Sequence, residues 1–112
     1  MEPKLEVVEL ASSNDDGEAS AIFEALSHRL RRRILRLMMG AESPPMSPKK
    51  IADALAEPLA NISYHVRVLA DCGAVELVER TPQRGSLEHF YLPAKFTGQP
   101  WVRDALGIAP RT

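Results

Sequence analysis

Apolar residues in the first two thirds of the chain recur at intervals of three and four, the period of a helix. In "EASAIFEALSH", Ile22, Phe23 and Leu26 keep that spacing and predict a first helix. In "HRLRRRILRLMMG", Leu30, Ile34, Leu37 and Met38 form an i, i+4, i+7, i+8 stripe, with Ser27 placed to cap it and Gly40 to stop it. After the loop "AESPPM", the run "SPKKIADALA" opens with Ser47 as cap and Pro48 at the first helical position. It turns Ile51, Ala52 and Leu55 to one side. "EPLANISYHVRVLADCG" predicts a fourth helix closed by Gly73.

The pattern then changes. "AVELVERT" and "SLEHFYL" are short and β-prone, separated by "PQRG", and predict a hairpin with a mobile, basic tip. "TGQPWVRDALGI" predicts a short amphipathic helix through Trp101, Val102, Ala105 and Leu106. The expected organisation is an acidic, flexible leader over residues 1–17, one domain over 18–93, and a C-terminal tail over 94–112. The fold class is mainly α with a small β-hairpin.

On a wheel of about 100° per residue, the fourth helix divides into two faces. Leu59, Ile62, Val66, Leu69 and Ala70 fall toward the core, and Ala60, Ser63, Tyr64 and Arg67 fall opposite, with Asn61 and Val68 at the margin. The outer face is small, polar and cationic, with no carboxylate until Asp71. A helix entering a DNA major groove needs those properties. Acids at its centre would meet phosphates, and short polar side chains and arginine can bond base edges. The alternative is an ordinary half-buried helix with an accidental polar face. Its neighbours favour the first reading. The preceding helix joins it through a turn as short as "AEP", and a hairpin carrying Arg80 and Arg84 follows directly. Helix, helix, turn, helix, hairpin is the order of a winged helix–turn–helix.

Charge sharpens this reading. The 112 residues are one domain's worth, with a formal net charge of −1. Residues 1–18 hold six acids against Lys4, which leaves +4 on the remainder. The folded part is thus mildly basic, as suits a polyanion partner. One cysteine, Cys72, cannot form an internal disulfide, and no apolar run is long enough to span a membrane. A cytoplasmic setting is expected.

The stretch from Phe23 to Leu92 resembles the ArsR-type (arsenic-repressor-like) winged-helix transcription regulators. Its most specific part is "ISYHVRVLADCGAVE", similar to the family's Ser-x-His-hydrophobic-basic-x-Leu-x-x-x-Gly-hydrophobic-hydrophobic run. The resemblance implies a prokaryotic DNA-binding regulator, usually a homodimer on a near-palindromic operator in double-stranded DNA, and a repressor is the expected kind. It puts Asn61, Ser63, Tyr64 and Arg67 where the family contacts DNA, with Arg80 and Arg84 on the wing. It also makes Arg31 the counterpart of the family's signature arginine on the second helix. Arg31 lies off the solvent stripe made by Arg29, Arg32, Arg33 and Arg36. A guanidinium near the core calls for a carboxylate, and Glu24, Asp53 and Asp71 are candidates. The four stripe arginines are expected to be solvated, adding a nonspecific pull toward phosphate.

Many such regulators sense metals through a Cys pair on the helix before the reading helix, or through acid and His ligands on a C-terminal helix. Here "SPKKIADALA" has no Cys or His, only Asp104 could serve near the C-terminus, and His28, His65, His89 and Cys72 lack ligand spacing. No metal, cofactor or catalytic constellation is expected, and the chain does not read as an enzyme. Cys72 reads as a packing residue and His65 as a structural hydrogen-bonding one. For assembly, Ile22, Phe23 and Leu26 of the first helix and Trp101, Val102, Leu106 and Ile108 of the C-terminal segment read as apolar residues left over for a homodimer. A Trp101 that folds back on its own domain is the alternative. The competing function is a winged-helix module for protein–protein contact without specific DNA binding.

Overall fold

The second apolar stripe becomes the centre of the molecule. In a computed structural model describing residues 20–40 and 43–107, helix α1 occupies residues 20–25, the first of them described, and is followed by α2 (Arg29–Met38). Next come α3 (Pro48–Leu55), α4 (Leu59–Asp71), β1 (Val75–Gln83), β2 (Ser86–Pro93), a 3-10 turn (Lys95–Gly98) and α5 (Pro100–Leu106). The expected acidic leader and Ile108 lie outside the described residues. Helix α2 packs against α3, α4, α5 and β2, so it is buried on more than one side. Leu35, absent from the single stripe read in the sequence, is as fully buried as Ile34 for that reason.

Local chemistry explains the helix starts. The α2 cap is His28 rather than Ser27: the His28 Nδ1 accepts the Leu30 N–H at 3.1 Å, while Ser27 Oγ donates back to the Glu24 carbonyl at 2.6 Å. Ser27 sits one residue too early and closes α1 instead. At α3 the expected signal holds. Ser47 Oγ accepts the Lys50 N–H at 3.2 Å with Pro48 in the first turn. The buried hydroxyl also donates to Glu88 Oε2 on β2. Beside it, Met46 and Tyr91 exchange backbone hydrogen bonds of 3.0 and 2.9 Å. The start of α3 and the hairpin are thereby fixed to each other. Ser47→Ala is expected to cost about 1–2 kcal/mol, through removal of the cap and of the donor to a carboxylate, read as a lower urea midpoint.

Between α3 and α4 the chain turns at Ala56, whose φ of 54° is left-handed, and Pro58 precedes the first turn of α4. Ile62, Val66 and Leu69 fill the core as the wheel predicts, but Leu59 is 50% exposed and does not. Gly73, at φ 82°, ends α4 where the sequence places its stop. Buried Ala74 and Val75 then root the hairpin. Its register runs from Val75 opposite Pro93 to Gln83 opposite Ser86, with an irregularity between Leu77 and Glu79. Pro82 and Gln83, read as loop, belong to β1. The reversal needs two residues, Arg84 and Gly85, both at positive φ (49° and 83°), the sign pattern of a type I′ turn.

Helices α1 and α5 close the other side of α2. Ile22, Ala25, Leu26, Val102 and Leu106 all join the same core cluster. The expectation that Ile22, Leu26 and Leu106 are left over for a second subunit is therefore corrected. Two short helices pack on α2 together and supply each other's cover. Of the aromatic pair, Phe23 is 66% exposed while Trp101 is half-buried, their ring centroids 6.3 Å apart.

Candidate nucleic-acid interface

The arginines of α2 answer most of the question their density raises. Arg31 Nε donates to the Ala25 carbonyl at 2.6 Å and Arg32 Nη1 to the Leu26 carbonyl at 2.7 Å, both at the C-terminal end of α1. Arg33 Nη2 reaches the Leu55 carbonyl at the end of α3, and its Nη1 pairs with Glu57 Oε2 at 3.0 Å. Arg36 Nη1 donates to the Leu106 carbonyl, the last of α5, at 3.1 Å. The final carbonyls of a helix lack intrahelical donors and carry the negative end of its dipole. Four arginines of α2 thus clamp three helix ends onto the central one. Three of the stripe arginines are committed to the fold rather than simply solvated.

Arg31 also corrects its expected partner. Instead of a carboxylate it takes a carbonyl and the His65 imidazole, with Nη1 3.2 Å from His65 Nδ1. His65 is 8% exposed, and its ring lies 4.3 Å from that of His28. Burial foremost, then the neighbouring His28 and Arg31, hold its pKa below the ordinary histidine value. A neutral ring can accept from Arg31, as the geometry requires. The unfolded chain binds this proton more readily than the folded one. Stability is therefore full above the ordinary histidine range near 6.5. It falls as the pH drops through that range toward the lowered folded value. Urea midpoints taken from pH 8 to pH 5.5 are expected to decline, and to decline less in His65→Gln. Cys72, pushed up by burial, stays a thiol and donates to the Leu69 carbonyl at 3.4 Å.

The outer side of α4 is free of such internal bonding. Asn61, Ser63, Tyr64 and Arg67 are all exposed, as are Arg80 and Arg84 on the hairpin. A groove separates α4 from the hairpin. Leu59, Ser63 and Arg67 line it from α4, Lys49 from α3, and Leu87 and His89 from β2, with the carboxylates of Glu88 and Asp71 also on its walls. Lys49 and Lys50, exposed in the first turn of α3, were not singled out in the sequence. Their signal was available: two lysines directly after a cap and a proline. Among the described residues, no three His, Cys, Asp or Glu side chains come together as a metal site would need.

Residues 26–78 match the model of a helix-turn-helix domain family. The chain is similar in structure to reduced HlyU from Vibrio cholerae N16961, with a TM-score of 0.61 and 16% identity over 87% of this chain and 90% of that one. It is equally similar to Mb0332 from Mycobacterium bovis, described as a possible ArsR-family transcriptional regulator. There the TM-score is 0.61 and the identity 19%, over 85% of this chain and 77% of a homodimeric winged helix-turn-helix DNA-binding domain. The fold is that of a winged helix–turn–helix domain. Comparison with curated proteins finds no match.

In this winged helix, α3 and α4 are the helix–turn–helix pair and β1–β2 is the wing. The Met46–Tyr91 bridge fixes the wing beside α3. The six residues expected at a DNA surface lie on two elements in contact with each other: Asn61, Ser63, Tyr64 and Arg67 on α4, and Arg80 and Arg84 on the wing. Neither the family model nor these two structures describes an enzyme. No described helix is long and apolar enough to cross a membrane.

Proposed function

We propose that this protein is a sequence-specific DNA-binding transcription regulator, a repressor that meets a near-palindromic operator as a homodimer. The observation that carries the reading is the outer face of α4. It exposes Asn61, Ser63, Tyr64 and Arg67 with no acid before Asp71, while α3 beside it exposes Lys49 and Lys50 and the wing exposes Arg80 and Arg84. In this reading α4 enters the major groove. The lysines and wing arginines meet phosphates or the adjoining minor groove, where they add affinity without sequence information. The homodimeric Mb0332 domain supports the twofold arrangement, and a twofold pair of reading helices would suit half-sites about one DNA turn, roughly 34 Å, apart.

The apolar face available for pairing is small and aromatic. Phe23 and Trp101 form its centre, flanked by Ser20, Glu24 and Ser27. Selection of binding sites from random duplex DNA, followed by a salt titration, tests the function. An inverted repeat, with affinity falling steeply as salt rises, is the expected result. A protein-contact module would enrich no motif.

A further inference from the structure

The face of α4 turned to the wing is not uniformly polar. Leu59, Ser63 and Arg67 stand four residues apart and share one wall of the groove, so they form a line one helical turn between members. Leu59 begins that line 50% exposed, and Leu87 faces the same groove from β2 at 53% exposed. Lone exposed leucines are commonplace. This one is distinguished by its place, in register with a serine and an arginine that can bond base edges and close to a lysine that can pair with phosphate. A polyanion with one apolar feature on its readable edge complements that line. In duplex DNA the feature is the 5-methyl group of thymine, the apolar group on a major-groove base edge.

We propose that Leu59 reads the methyl group of a thymine in each half-site, on the same stripe from which Ser63 and Arg67 make polar contacts. The inference rests on the DNA-binding reading above and deepens it. Leucine offers no hydrogen bond. A cytosine at that position would set its amino donor against an apolar side chain, whereas a thymine gains an apolar neighbour for its methyl group. The half-site therefore prefers T over C there.

The test uses the full-length protein and the duplex obtained by site selection. Each thymine of the half-site is replaced in turn by deoxyuridine, which removes the methyl group alone. Affinities are then measured for the parent, Leu59→Ala and Leu87→Ala. One T-to-U change is expected to weaken parent binding about fourfold, the worth of one buried methyl group. The same change should leave Leu59→Ala unaffected and act on Leu87→Ala as on the parent. Because Leu59 is half exposed, its alanine variant should keep the parent's thermal midpoint, which confirms that folding is not what is being read. Equal losses for the T and U duplexes in Leu59→Ala would assign the leucine to deoxyribose and overturn the proposal. So would a half-site with no uracil-sensitive thymine, or coupling that follows Leu87 instead. If selection enriches no motif at all, the underlying DNA reading falls, and this inference with it.

Discussion

Leu106→Ala is expected to destabilise the monomer by about 2–4 kcal/mol, whereas Phe23→Ser should cost less than about 1 kcal/mol and yet disrupt pairing. The contrast follows from burial. Leu106 is 1% exposed in a cluster with Ile22, Leu26 and Val102, and Arg36 of α2 holds its carbonyl. Truncating it opens a cavity at one of the two buried residues, Val102 and Leu106, by which α5, seven residues long, is fastened to the domain. A helix that short has little stability of its own, so the change removes the cover of α1 as well. Phe23 has 66% of its surface free, and its serine variant uncovers little. Urea unfolding of both variants measures the first effect, and sedimentation at micromolar concentration measures the second. If Leu106→Ala unfolds like the parent and Phe23→Ser remains a dimer, both the packing of α5 and the location of the pairing face are wrong.

How far the fold could be read in advance varied with the kind of signal. Ser47, Pro48 and Gly73 act through their own backbone neighbourhood, and each does in the structure what its residue type dictates. The order of helices and hairpin was legible for the same reason. What failed were inferences about cover. The wheel put Leu59 inward, and the reading of the flanking segments left Ile22, Leu26 and Leu106 without partners, because periodicity records which residues share a face and not what lies opposite it. Leu35 shows the same limit, since a central helix buries more than one stripe. Arg31 was correctly placed near the core but paired with the wrong chemistry. A carbonyl at a helix end and a neutral imidazole satisfy a guanidinium as a carboxylate would, and a sequence gives no sign of helix ends meeting in space. The arginine run looked like a nucleic-acid grip by density alone. In three dimensions, four of its members are occupied with α1, α3 and α5, which moves the case for DNA onto residues of α4.

Arg67→Ala carries the heaviest consequence for that case. Arg67 is exposed on α4, lines the groove beside the wing, and lies on the side of the helix away from Ile62 and Leu69. With no internal role in the core, its removal should leave the urea midpoint within about 0.5 kcal/mol of the parent. In a bidentate contact to a guanine edge, the same change is expected to weaken binding to the selected operator by about 1–3 kcal/mol and to relax preference at one base position. Lys49→Ala supplies the comparison. Removing a cation from a phosphate there should weaken operator and unrelated duplexes alike and flatten the salt dependence by about one ion. The two variants thus separate base reading from charge. An Arg67→Ala protein whose affinity drops equally for every sequence would demote Arg67 to a backbone contact. One that binds the operator as tightly as the parent would remove α4 from the interface altogether.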